Sequence, residues 1–157
     1  MTRWAHRVAI EADLAAIADL DAECFGNPWS QDVYRQELYR PFARLTVVEA
    51  GSSLLGLSCV WIIADEAHLL RIATAPDHRR HGLGRALLTR VLAEADAEAC
   101  HRILLEVGAR NAAAVGLYET FGFEVIGRRV GYYARPPDDA LVMQRTLAAS
   151  PQAVPGP

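Results

Sequence analysis

The 157-residue sequence is poor in the features that mark several large classes of protein. It has only three cysteines, Cys24, Cys59 and Cys100, an odd number at wide separations. Such a set is typical of reduced, half-buried thiols rather than of a disulfide framework or the paired ligands of a zinc site. His78 and His81 lie close together, but neither a carboxylate at a metal-ligand offset nor a second pair accompanies them. We therefore expect no metal.

Long apolar runs and an excess of positive charge are also missing. The longest uncharged stretch, 50–64, is interrupted by glycine and serine. It is shorter than the ~20 apolar residues of a membrane helix. The first residues contain no continuous apolar segment of the kind a secretory signal needs, so we expect a cytoplasmic protein. The net charge of -3 and pI near 5.9 argue against nucleic acid as a partner, since nucleic-acid-binding domains are usually basic.

Apolar periodicity predicts a regular series of helices and strands. Asp13 and Ser30 are candidate N-caps, and Gly122 is the candidate stop of the last helix. Helices are expected over 13–24, 30–39, 83–98 and 111–121, and strands over 8–10, 44–49, 53–63, 68–74, 102–107, 123–132 and 140–146.

The order β-αα-βββ-α-β-α-ββ favours a single α+β domain, residues 1–148. Its sheet would be mixed and mainly antiparallel, with helices on both faces and a right-handed crossover helix after the fourth strand. Residues 149–157 contain three prolines and no periodicity, which predicts a disordered tail.

The segment 71–92 concentrates arginine, histidine and glycine at the expected start of the third helix. A solvated basic loop with glycines at the helix N-terminus is the plain interpretation. A Walker phosphate loop is excluded, because no Gly-Lys-Ser/Thr follows. A Rossmann fingerprint is disfavoured, because Leu87 takes the place of its third glycine and residues 76–81 separate the glycines from the preceding strand.

A pyrophosphate cradle is the remaining interpretation of this segment. Amides at a helix N-terminus attract an anion, and Gly82 and Gly84 would let a phosphate approach the backbone. Nearby arginines would add charge-assisted hydrogen bonds. The expected cofactor-binding residues of this loop are Arg79, Arg80, His81, Gly82, Leu83, Gly84 and Arg85.

The spacing Arg79-x-x-Gly82-x-Gly84 resembles the acetyl-CoA motif of the GNAT superfamily of N-acetyltransferases. Other segments resemble its ribosomal-protein-alanine N-acetyltransferase (RimI-type) branch: "PWS" at 28–30, "LEVGARNAAAVGLYETFGF" at 105–123, "GRRVGYY" at 127–133 and "DALVM" at 139–143. The resemblance spans nearly the whole ordered chain. It implies the GNAT-like fold, a twisted sheet with splayed fourth and fifth strands, and acetyl-CoA as co-substrate.

The resemblance also implies roles for individual residues. Tyr118 matches the tyrosine that faces the thioester sulfur as general acid, although core packing is the commoner fate of a helical tyrosine. Asn111 matches an asparagine that contacts the cofactor. Ile72, Ala73 and Thr74 match a strand end whose amides meet the acetyl carbonyl and pantetheine arm, although an ordinary buried strand end fits them too. Trp29, Tyr132 and Tyr133 match residues that would line a peptide groove, although core or rim packing is equally expected of aromatic residues.

Glu106 interrupts a strand that otherwise reads as apolar and buried on both sides. Its residue type fits an ion-paired strand-end glutamate, with Arg110 as the partner, as well as it fits a catalytic base. The resemblance favours the base, which would accept the amine's proton directly or through a water.

One position departs from the branch, which usually continues Leu-Glu-Val with arginine where this chain has Gly108. The glycine removes a cation beside the acceptor site, and Arg110 is the candidate to replace it from another direction.

We therefore expect an acetyl-CoA-dependent N-acetyltransferase for a protein N-terminal α-amine, an alanine of a ribosomal protein. Direct transfer in a ternary complex is favoured, because no cysteine accompanies a histidine and a carboxylate as an activated nucleophile would require. Two alternatives remain: acetylation of a lysine or small-molecule amine, and a non-catalytic sensor that binds acyl-CoA.

Overall fold

The computed structural model describes residues 3–79 and 82–147. Within these ranges the helices are α1 Leu14–Cys24, α2 Gln31–Tyr39, α3 Leu83–Ala97 and α4 Ala112–Thr120. The strands are β1 Ala5–Val8, β2 Ala43–Ala50, β3 Ser53–Ile63, β4 Glu66–Thr74, β5 Arg102–Gly108, β6 Glu124–Ala134 and β7 Pro137–Thr146. The predicted order of elements is confirmed, and the expected tail, 149–157, lies outside the described residues.

The prediction for the first strand was wrong in position. The strand is Ala5–Val8, paired with 46–49 of β2, rather than 8–10. Ala9 is buried, but Val8 and Ile10 are 67% and 56% exposed, so the apolar run at 8–10 is not a core strand.

The candidate caps differ in outcome. The Ser30 hydroxyl accepts a hydrogen bond from the Val33 amide at 3.1 Å, which confirms it as the N-cap of α2. Asp13 makes no such cap for α1. Its carboxylate instead accepts the Ile10 amide at 2.8 Å and pairs with Arg7.

Residue contacts divide the described chain into two units, and β3, β4 and α3 run from one into the other. The first unit comprises 3–61 and Leu70–Val91, with strand order β1-β2-β3-β4. Helices α1 and α2 pack on the strand face that carries Val47, and α3 packs on the face that carries Val48. Successive strand residues point to opposite faces, so both faces of this part of the sheet are covered.

The second unit comprises Ile62–Leu69 and residues 92–147, with strand order β4-β5-β7-β6. Strand β4 runs parallel to β5 from Glu66↔Arg102 to Leu69↔Leu105, and the other neighbours are antiparallel. The parallel ladder covers only the first part of each strand.

Strand β5 has one buried face, not the two that were predicted. Ile103, Leu105 and Val107 are buried, whereas Glu106 is exposed. The alternation places the Glu106 carboxylate on the open face of this unit's sheet.

Across residues 3–79 and 82–147, no helix is long and apolar enough to cross a membrane.

Candidate functional site

The start of α3 has the backbone geometry of an anion cradle. Gly82 has φ +80°, a left-handed backbone conformation that is strained for residues with a side chain. Its carbonyl accepts the Ala86 amide at 3.0 Å. Gly82 is therefore the N-cap, and the amides that follow it have no acceptor within the helix. A Cβ on Gly82 would meet nothing within 4 Å, so glycine is needed here for its conformation and the space above it is open.

The predicted residues of this loop differ in what they can offer. Arg79 and Arg85 are exposed and Gly84 is half-buried. The Leu83 side chain is buried in the core, which leaves only its amide for a ligand. Arg80 and His81 lie outside the described residues.

Gly56 on β3 sets the position of α3 against β4. A Cβ at Gly56 would lie 3.0 Å from the Ala73 carbonyl oxygen and 3.0 Å from a Leu87 methyl carbon. The missing side chain therefore allows the helix that carries the cradle to pack close to the strand that carries Ile72, Ala73 and Thr74. Local sequence does not identify Gly56, because nothing near it distinguishes a glycine needed for packing from one in a turn.

The end of β4 is tied to α1. The Cys24 thiol donates to the Thr74 carbonyl at 3.3 Å. Burial raises the pKa of Cys24, although a hydrogen bond with Arg79 opposes the shift. The thiol therefore stays neutral, and it links a predicted cofactor strand residue to a predicted loop arginine.

The turn between α1 and α2, which carries Trp29, is held by a buried carboxylate. Asp21 is 0% exposed. It accepts the Trp29 amide at 2.7 Å and the Tyr34 hydroxyl at 2.5 Å. Burial raises the pKa of Tyr34, so its phenol remains the donor.

Arg71 on β4 completes this network. Its guanidinium pairs with Asp21 at 3.0 Å, donates to the Asn27 carbonyl at 2.9 Å and lies over the Phe25 and Trp29 rings. The sequence contained a signal for the network, because Asp21 is four residues after Ile17 and so lies on the apolar stripe of α1. A charge on such a stripe is stable only with a partner.

In the second unit, Glu106 is paired with Arg129 of β6. The prediction that Arg110 is the partner of Glu106 is wrong. The Arg110 side chain is 82% exposed, and its Nε lies 4.0 Å from Asp138. The Arg129 guanidinium also lies 5.7 Å from the centre of the Tyr132 ring. The candidate base is therefore an exposed carboxylate paired with a cation on one side.

Tyr118 is the buried counterpart of that carboxylate. It is 8% exposed, and its ring packs edge-on against Phe123 at 5.7 Å. Burial, with a smaller electrostatic contribution from Tyr133, raises the pKa of Tyr118 to about 12. The phenol therefore holds its proton throughout the neutral range.

The remaining predicted residues of this unit have distinct settings. Asn111 is exposed and is the N-cap of α4, where its side-chain oxygen accepts the Ala114 amide at 3.2 Å. Tyr132 is exposed, Tyr133 is half-buried, and their rings meet edge to face at 5.1 Å.

Gly108 is explained by the residue that lies beside it. A Cβ there would be 2.8 Å from an Asp138 carboxylate oxygen and 3.8 Å from the Tyr133 ring. The same oxygen accepts the Arg110 amide at 2.9 Å. A carboxylate therefore occupies the space next to the position where the resembling branch carries an arginine.

In the part of the chain that the structure describes, no cluster of three or more His, Cys, Asp or Glu side chains could hold a metal ion.

Comparison with known proteins agrees with these features. Residues 14–123 match the acetyltransferase (GNAT) family model. The chain is 32% identical over 133 residues to the [ribosomal protein bS18]-alanine N-acetyltransferase of Escherichia coli K12, covering 83% of this chain and 89% of that protein. It is 30% identical over 140 residues to the N-alpha-acetyltransferase RimI of Mycobacterium tuberculosis, covering 85% and 87%.

A solved structure supports the same conclusion. The crystal structure of the ribosomal-protein-S18-alanine N-acetyltransferase from Escherichia coli superimposes with a TM-score of 0.89 at 27% identity, covering 98% of this chain and all of that one. The family match covers well over half of the chain. By sequence and by fold, the chain belongs to the acetyltransferase (GNAT) family.

Proposed function

We propose that this N-acetyltransferase uses acetyl-CoA to acetylate the N-terminal α-amine of a protein, an alanine of a ribosomal protein. The observation that carries the proposal is the pair of opposite acid-base settings in the second unit: an exposed Glu106 carboxylate and a buried, protonated Tyr118. The Escherichia coli relative is named for acetylating the alanine of a ribosomal protein, and such an acceptor agrees with the cytoplasmic location expected from the sequence.

The start of α3 is the proposed site for the pyrophosphate of acetyl-CoA, whose thioester supplies an activated acetyl group. The amides after Gly82 would hold the anion, and Arg79 and Arg85 would add charge-assisted hydrogen bonds. The amides of 72–74 would orient the acetyl arm and polarise its carbonyl. The left-handed conformation of Gly82 and the open space above it support this fit.

Glu106 and Tyr118 are the proposed base and acid. Glu106 would accept the proton of the α-ammonium, directly or through a water, since only the neutral amine is nucleophilic. Tyr118 would hold the proton for the leaving thiolate. The pKa of Tyr118, about 12, lies above the ~8.5 of a thiol. This transfer therefore requires neighbouring groups that stabilise the negative charge developing on the Tyr118 phenolate.

The state of the cysteines supports direct transfer in a ternary complex. Burial raises the pKa of Cys24, Cys59 and Cys100 alike, which keeps each of them in the thiol form. A covalent acetyl-enzyme would need a thiolate, the reactive form of cysteine.

The choice of acceptor follows from proton energetics. The reference pKa is ~8 for an α-amine and ~10.4 for lysine, so neutralising lysine at pH 7 costs about 3 kcal/mol more. A single exposed carboxylate suits the less basic amine.

The test is a mass-spectrometric assay with acetyl-CoA and four acceptors. These are an alanine-initiated peptide from a ribosomal protein N-terminus, the same peptide with a blocked terminus and an added lysine, a serine-initiated peptide and a small amine. We expect acetylation of the first at its terminus and none of the second. The chain contains 16 arginines and no lysine, so acetylation of the enzyme itself cannot be mistaken for acetylation of a peptide lysine.

Equal or faster reaction of the blocked, lysine-bearing peptide would overturn the N-terminal assignment. Binding of acetyl-CoA without any acetylated product would favour a sensor instead.

A further inference from the structure

We infer that Arg129 is a positioning residue for the base: it holds one oxygen of the Glu106 carboxylate and leaves the other to face the acceptor amine. The inference rests on the proposed function, because it assigns Arg129 a part in the same acetyl transfer.

The pair joins residues on strands that are not neighbours. Glu106 is on β5 and Arg129 is on β6, and β7 lies between them. The Nε atom of Arg129 contacts Oε2 of Glu106. The side chains must therefore span two strand spacings, about 10 Å, over the face of β7.

The strand register opens a path for this contact. Residues directly opposite one another across a sheet share a face. The ladder places Arg129 opposite Ala140, and Ala140 opposite Gly108. The adjacent row on the same face consists of Gly127, Val142 and Glu106. The guanidinium thus reaches Glu106 diagonally past Ala140, whose methyl side chain is too small to block it, while the Asp138 carboxylate lies beside Gly108.

The environment keeps Arg129 in place while leaving the carboxylate accessible. The guanidinium lies 5.7 Å from the Tyr132 ring centre, within the range of a cation-π contact. The side chains of Arg129 and Glu106 are 60% and 31% exposed. An acceptor can therefore approach Glu106 without displacing a buried group.

A fixed cation changes what the carboxylate can do. A free glutamate samples several rotamers, and ordering it for reaction costs entropy. The ion pair at Oε2 limits that freedom and aims Oε1 in one direction. Exposed ion pairs add little to the free energy of unfolding. The main effect of this pair is therefore to orient the Glu106 carboxylate.

The experiment compares Arg129→Gln with the matched control Arg128→Gln. Arg128 is the adjacent residue and pairs with Asp139 at 2.7 Å, so its change removes the same charge and a similar ion pair. With the alanine-initiated peptide, we expect Arg129→Gln to lower kcat about 10-fold, within the range that small misplacement of a catalytic group costs. Acetyl-CoA affinity by calorimetry and the activity of Arg128→Gln should stay within about 2-fold, the ordinary effect of an exposed charge.

A double-mutant cycle distinguishes positioning from a separate effect. If Arg129 acts through Glu106, Arg129→Gln should change kcat less than about 2-fold in a Glu106→Gln background. The same loss in both backgrounds, an unchanged kcat, or a faster Arg129→Gln enzyme would each overturn the inference. Arg129→Lys, which keeps the charge but not the guanidinium, should fall between the wild type and Arg129→Gln.

Failure of the proposed function would look different. In that case the protein would leave the terminus of the alanine-initiated peptide unacetylated, or would acetylate the blocked, lysine-bearing peptide at least as fast, whatever the residue at 129.

Discussion

At the scale of single residues, burial separates two groups that sequence alone treats alike. Glu106 and Tyr118 are both polar residues in largely apolar stretches of the sequence. Each also fits a purely structural role, an ion pair for Glu106 and core packing for Tyr118. In the fold, Glu106 faces solvent beside Arg129, whereas Tyr118 is buried and neutral. Their settings suit a proton acceptor and a proton donor.

Tyr118→Phe should lower the rate of acetyl transfer about 10²-fold and change acetyl-CoA affinity far less, because only the proposed acid is removed. Steady-state kinetics and calorimetry measure the two quantities. Tyr39→Phe is the control, since Tyr39 is 66% exposed and contacts Glu11 on the surface. Full turnover by Tyr118→Phe, with chemistry limiting the rate, would mean that the phenol only packs.

At the scale of elements, a charged network holds the α1–α2 turn against β4. Asp21 is fully buried, and Arg71 is only 15% exposed on its side chain. Removing one member of such a pair leaves the other buried without a counter-charge, which costs far more than losing a surface ion pair.

Arg71→Met should therefore lower the free energy of unfolding by about 3 to 5 kcal/mol. Urea denaturation measures it. Arg35→Met, which breaks an ion pair of two substantially exposed side chains with Glu11, should cost less than about 1 kcal/mol. Adding Asp21→Asn to Arg71→Met should recover part of the loss, and a further decrease would contradict the account.

The start of α3 permits an equally matched comparison. Gly82 and Gly51 both have positive φ, +80° and +60°, and a Cβ on either would meet nothing within 4 Å. Alanine at either position should cost about 1 to 2 kcal/mol of stability through backbone strain. Only Gly82→Ala should also weaken acetyl-CoA binding, by about 10-fold, because the cradle amides move. Equal affinities of the two variants, measured by calorimetry, would count against the cradle.

At the scale of the whole molecule, surface ion pairs set the response to acid. Hydrogen bonds from Arg7 lower the pKa of Asp13 and Glu49, and one from Arg102 lowers that of Glu66. The unfolded chain then binds more protons than the folded one below the ordinary values of 3.8 and 4.5. The stabilisation is present above these values and is lost as the pH falls through the lower folded ones.

The free energy of unfolding should accordingly decline once the pH falls below about 4.5, the ordinary glutamate value. Urea denaturation between pH 7 and pH 3 measures the decline. Arg7→Gln should make the curve shallower, since it removes the partner that Asp13 and Glu49 share. A variant curve parallel to that of the unchanged protein would argue that this cluster does not contribute.

The sequence by itself determined the element order, the parallel step after the fourth strand and the family, and it supplied the proposal for the cofactor loop. These depend on local rules. Apolar periodicity distinguishes strand from helix, the Ser30 hydroxyl caps the residues next to it, and Gly82 can adopt a positive φ whatever surrounds it. The first strand shows the limit of such rules, because pairing with β2 decided its position.

Only the tertiary structure decided which side chains meet. Arg129 reaches Glu106 across an intervening strand, Asp138 lies beside Gly108 from 30 residues away, and Arg71 pairs with Asp21 across 50. Local sequence does not identify these partners, since each contact depends on how segments far apart in the chain pack together. The fine chemistry of the proposed site, an exposed paired carboxylate and a buried neutral phenol, follows from those long-range contacts and from burial.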